Sequence, residues 1–135
     1  MENLYINHIA VFVCAIFNLA LGALWYSPFL FYKAWLSETK LTEEQLAKQS
    51  PTKTYGLAFL FSLIISYTLA FFLGDANTDA VWGATAGFLA GFGWSTLIFA
   101  IIALFEQRSW RYIFINGGFI TVYFTIIGFL LGIWR

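Results

Sequence analysis

Charge is scarce in this chain: only 10% of its 135 residues are charged, with seven Lys and Arg balancing seven Asp and Glu. Soluble domains carry about 25% charged residues, so an ordinary water-facing surface is excluded. A net charge of zero gives no bulk attraction to nucleic acid or to acidic lipid. The single cysteine, Cys14, excludes an intrachain disulfide and reads as a small apolar packing residue. The single histidine, His8, has no second His or Cys to complete a metal site, so it reads as an interfacial residue. Just two prolines, Pro28 and Pro51, interrupt the sequence, which leaves long stretches free to form helix.

What fills the chain instead is apolar: 61% of residues are hydrophobic, and 21% are aromatic. Four runs lack any formal charge, over residues 3–32, 54–74, 80–105 and 112–134. Each is long enough for a helix to cross a bilayer, which takes about 20 residues at 1.5 Å rise. The runs are continuously apolar rather than alternating, so they read as helices and not as barrel strands. The expected fold is all-α and membrane-embedded: a single domain over 1–135 with spans at about 6–26, 54–74, 80–104 and 112–134. The first run lacks a basic leading region and exceeds the length of a signal-peptide core, so it reads as a retained span.

Charges collect in the connections. Lys33, Lys40, Lys48 and Lys53 lie between spans one and two, and Arg108 and Arg111 lie between spans three and four. The remaining basic residue, Arg135, lies on the opposite face. The positive-inside rule then puts loops 27–53 and 105–111 in the cytoplasm and both termini outside the cell membrane. Ser27-Pro28 reads as a helix start, and the aromatic stretch after it predicts a short interfacial helix over 28–37, the alternative being a kinked continuation of span one. Thr42 and Gln45 have the spacing of a capping box, predicting a second, cytoplasmic helix over 43–48 within the loop at 37–53.

Lipid tails are as apolar as Leu, so helices associate in a bilayer through small residues that let backbones approach. Gly83, Gly87, Gly91 and Ser95 recur every fourth position in span three, a glycine zipper. Ala58, Ser62, Ser66, Ala70 and Gly74 do so in span two. Span four aligns Gly117, Thr121, Thr125, Gly128 and Gly132, and span one aligns Ala15, Asn18 and Gly22. Span three is small on a second face as well, through Ala84, Ala86, Ala90 and Gly93, which predicts a homo-oligomer interface there.

No Asp, Glu, Lys or Arg lies inside a span, which argues against proton-coupled transport. No nucleophile–base pair or carboxylate dyad can form at depth, so no enzyme activity, catalytic residue, metal or cofactor is expected. Neutral polar groups remain. Asn18, Trp94 and Tyr123 lie near mid-span, Tyr67 nearer the outer face and Asn116 toward the cytoplasmic side. These five are the candidate ligand-binding residues, with Asn18, Trp94 and Tyr123 expected to share a pocket for a small neutral molecule or lipid group. A structural amide at Asn18 is the alternative, and docking of the small-residue faces on a larger membrane complex is the competing role. A small channel fits less well, because the charge bias favours one orientation.

The motif Leu21-Gly22-Ala23-Leu24-Trp25-Tyr26-Ser27-Pro28, continuing to Lys33-Ala34-Trp35, resembles the signature of a widespread bacterial family, domain-of-unknown-function family 1761. Leu41-Thr42-Glu43-Glu44, Leu104-Phe105-Glu106 with Trp110, and Ile115-Asn116-Gly117 extend the likeness over nearly the whole chain. Phe31-Tyr32 departs from it, standing where a Phe-Gly pair is usual. The resemblance implies a small four-span membrane protein, marks Gly22, Trp25, Tyr26, Ser27, Pro28 and Trp35 as motif residues, and implies no activity.

Overall fold

A computed structural model describes residues 4–135, so residues 1–3 of the expected domain lie outside the described residues. The described chain is all helical, with four helices long and apolar enough to cross a membrane: His8–Trp25, Pro51–Phe72, Ala80–Phe105 and Trp110–Ile133. These are spans one to four. Polar side chains fix their starts: Asn7, Ser50, Asp79 and Ser109 each accept a first-turn backbone N–H. Ser50 with Pro51 at the first helical position starts span two three residues before the expected 54.

The connection after span one differs from expectation. Ser27 does not cap a helix; its hydroxyl donates to Leu24 O at 2.7 Å, and residues 28–31 form turns. Phe31 N–H reaches back to Trp25 O, folding the chain under span one. The interfacial helix therefore runs Tyr32–Thr39, not 28–37, and ends at Lys40 in the left-handed region. Glu43–Ala47 forms the capped helix, with both capping-box bonds present between Thr42 and Gln45.

Spans one and two pack as one hairpin, spans three and four as another, and span four joins them by also packing on span one. The core lies where spans one, two and four converge on Val11, Cys14, Leu73, Tyr123 and Ile127. Span three packs chiefly on span four and leaves most of its surface outward.

That single contact is close. Gly83, Gly87 and Gly91 face span four, where Gly128 and Gly132 face back. A methyl group on Gly83 would lie 3.1 Å from the carbonyl carbon of Gly128 and still nearer its oxygen; one on Gly128 would lie 3.0 Å from Gly87 Cα. Backbones this close gain dispersion and Cα–H···O contacts unavailable to larger side chains. The stripe is thus filled within the subunit, and Gly87 is not free to form an oligomer face.

Ser95 does not continue the stripe. Span three winds as a π-helix over Leu89–Thr96, so each turn takes in one residue more. The next inward position after Gly91 is Thr96, not Ser95. Thr96 is buried, donating to Gly117 O at 3.1 Å and paired with the Thr121 hydroxyl at 2.9 Å.

Candidate functional site

Three elements meet in one cluster on the side of the interfacial helix. Trp25 and Tyr26 end span one, Tyr32 and Trp35 project from the interfacial helix, and Asn116 and Phe119 come from span four. The sequence Ile115-Asn116-Gly117-Gly118 organises the junction. Ile115 O accepts the Trp25 indole N–H at 2.9 Å, and Asn116 Oδ1 accepts the Tyr26 hydroxyl at 2.5 Å. The Asn116 amide donates in turn to Tyr112 O, which holds its oxygen toward Tyr26.

The two glycines serve opposite neighbours. A methyl on Gly117 would strike Thr96 of span three, and one on Gly118 would lie 3.0 Å from the Trp25 ring. Span four can therefore receive a threonine on one side and an indole on the other within a single turn. Trp25 also meets Phe31 at 4.9 Å between ring centres, and Tyr26 meets Trp35 edge-on at 5.7 Å and Phe119 at 5.6 Å. Such pairs add about 0.5–1.5 kcal/mol each beyond their buried area.

Two chambers open from this cluster and share Tyr26, Trp35, Asn116 and Phe119. The larger, about 990 Å³, extends between spans one and two past Gly22, Ala23, Tyr55 and Ala58 to Asn18. The smaller, about 420 Å³, extends toward Thr39, Tyr112 and Arg108. Both volumes fall within the roughly 300–1,000 Å³ of ordinary ligand pockets.

The link between spans three and four positions Arg108. Gln107 adopts the left-handed conformation with φ 60°, Arg108 N–H bonds to Ala103 O and Gln107 N–H to Leu104 O. This is a Schellman cap. Beyond it, the Ser109 hydroxyl donates to Glu38 Oε1, and Arg111 lies 3.8 Å from Glu38 Oε2. Glu38 so fastens the interfacial helix to the start of span four, closing the cleft's outer rim.

The five expected ligand residues do not gather in one place. Asn18 and Asn116 line the larger chamber, at its deep end and its junction. Tyr123 is 2% exposed in the core, donating to Cys14 O at 3.0 Å and 3.4 Å from the Ser66 hydroxyl. Tyr67 pairs with His8 Nδ1 at 2.8 Å, near the start of span one. Trp94 is 71% exposed on the outer side of the π segment, so it shares no pocket with Asn18 and Tyr123. Of the packing residues, Ser62, Ser66, Gly83, Gly87, Gly91 and Gly128 are all buried.

The motif residues Gly22, Tyr26, Ser27, Pro28 and Trp35 form the cleft wall, a role not read from their spacing. Glu38, Tyr55 and Phe119 were missed as site residues. No local signal marks them, because Glu38 and Arg111, for instance, meet only through the tertiary fold.

The geometry defines a four-span helical membrane protein with a cleft at one end of the bundle. Within that class the chain belongs to the family described as protein of unknown function (DUF1761), which it matches over residues 9–132. Comparison with curated proteins and with solved structures found no match.

Proposed function

We propose that the protein is a binding module of the cell membrane that holds, or passively passes, a small amphiphilic molecule or lipid group in the cleft around Tyr26 and Asn116. The observation that carries this reading is the pair of adjoining chambers, which share Tyr26, Trp35, Asn116 and Phe119 and place two amides and several phenols on walls that also carry apolar side chains. Such walls orient a ligand by a few polar contacts while excluding water. Their lining groups supply the hydrogen-bonding capacity that such binding uses.

The basic residues support an orientation with the cleft toward the cytoplasm. Lys33, Lys40, Lys48, Lys53, Arg108 and Arg111 share the cleft end of the bundle, and Arg135 lies at the other. Labelling Ser37→Cys and Asn77→Cys with an impermeant maleimide in intact cells should modify only the second.

Native mass spectrometry of protein released from native-lipid nanodiscs tests the binding role. Wild type should carry a defined extra mass, and Tyr26→Phe with Asn116→Ala should lose it. Wild type without added mass overturns the reading.

A second reading, homo-oligomerisation or docking on a larger membrane complex, is favoured by Trp94. Its indole faces outward near mid-span, where a hydrocarbon environment offers its N–H no acceptor. Together with Gly93 and Ile98 it would meet a second copy along span three. Trp94→Leu should then shift the stoichiometry seen in the same spectra; an unchanged one rejects this interface.

A further inference from the structure

The two ends of the cleft differ in chemistry, and the difference names a ligand class. Leu19, Ala23, Ala58 and Phe119 wall the larger chamber with apolar surface. Arg108 lines the smaller one beside the hydroxyl-bearing Thr39 and Tyr112, and it is the only cationic residue lining either chamber among the described residues. Its guanidinium lies over the Tyr112 ring, with Cζ 5.0 Å from the ring centre. The carboxylate it meets, Glu106, approaches Nε only to 3.7 Å, beyond hydrogen-bond distance. A guanidinium so placed keeps donors for the paired oxygens of a phosphate.

Resting on the cleft reading above, we propose that the bound molecule is an anionic phospholipid. Its phosphodiester lies against Arg108 in the smaller chamber, and an acyl chain runs past Tyr26 and Asn116 into the larger. The charge distribution agrees, since this end of the bundle carries six of the seven basic residues, and anionic lipids draw such surfaces to the cytoplasmic leaflet. The aromatic junction at Trp35 and Phe119 suits the glycerol–acyl boundary, where amphipathic rings are favoured.

The test loads purified protein with equimolar phosphatidylglycerol and phosphatidylcholine and reads retained lipid by native mass spectrometry. Wild type should prefer phosphatidylglycerol about tenfold, because phosphatidylcholine carries the same phosphodiester but its quaternary ammonium offsets the negative charge that Arg108 meets. Arg108→Gln should reduce the preference to near unity, and Arg108→Lys should fall between. Ala23→Trp, or Ala58→Trp from the facing wall, should lower retention of both lipids by filling the larger chamber. A preference that survives Arg108→Gln overturns the assignment of the phosphate to Arg108. Equal retention of the two lipids, lowered together by the tryptophan variants, overturns the anionic ligand while leaving the cleft reading intact. Retention unaffected by either tryptophan variant overturns the cleft reading itself. Millimolar inorganic phosphate that forms an Arg108-dependent adduct without any lipid preference assigns the chamber to a free ion and overturns the phospholipid.

Discussion

The seam between spans three and four and the cleft between spans one and four are built on the same helix with opposite results. At the seam, Gly83, Gly87, Gly128 and Gly132 remove side chains from both partners, and the backbones close on each other. At the cleft, Trp25, Tyr26, Trp35 and Phe119 brace the elements apart, and space remains between them. Small residues on both faces close a membrane interface; rings on one face and small residues such as Gly22 and Ala58 opposite leave it open. Span four carries both patterns, glycine-lined toward span three and ring-lined toward span one, with Gly117 and Gly118 one residue apart serving each.

Breaking the seam should give the largest effect. Gly128→Val forces a branched side chain into the backbone of Gly83 and Gly87, at a cost of about 3 kcal/mol or more. Thermal unfolding in detergent, followed by circular dichroism, should show little cooperative transition left; a wild-type melting curve would mean the spans do not meet so closely. Gly87→Leu should act likewise, destabilising the subunit rather than changing its stoichiometry.

Tyr123→Phe probes the core between the two regions. It removes a donor to Cys14 O without creating a cavity, and interhelical bonds of this kind are worth about 0.6–1.7 kcal/mol in membranes. Equilibrium unfolding in bicelles should register a loss in that range, and no loss at all would show that the hydroxyl bond adds nothing.

Asn18→Leu sharpens the contrast from the cleft side. Asn18 is half-buried at the deep end of the larger chamber, so the variant should keep the wild-type melting temperature while retaining several-fold less bound lipid. The reverse pattern, lowered stability with lipid retained, would make it a structural amide.

Gly56→Ala should have the smallest effect. Nothing lies within 4 Å of a methyl at that position, so the change should stabilise span two by at most about 1 kcal/mol through helix propensity alone. A destabilised Gly56→Ala would point to a neighbour packed on that face.

The four spans were legible because a bilayer imposes length and apolarity on each helix separately, and runs such as 80–105 satisfy both without reference to anything else. The capping box at Thr42 and Gln45 was legible for the same reason, since its bonds span three residues. Even the stripe through Gly83, Gly87 and Gly91 could be read, because small residues at helical spacing mark a face. Its partner could not. Nothing local says that span four fills it, or that a π-helical stretch passes the inward position from Ser95 to Thr96.

The site was legible only in pieces. Asn18 and Asn116 stood out as polar groups in apolar runs, and both line the cleft, yet Trp94 and Tyr123 stood out equally and line neither chamber. By itself, then, the sequence determined how many helices are long and apolar enough to cross a membrane, about where they lie and which faces are small, because each follows from interactions within a few residues. The tertiary structure alone decided that Trp25 and Tyr26 bond to Ile115 and Asn116 and that Glu38 meets Ser109 and Arg111. It also brought Arg108 into the lining of the smaller chamber, beside Thr39 and Tyr112. Those contacts join residues about 70–90 positions apart, and no periodicity along a chain encodes which distant helix a side chain will face.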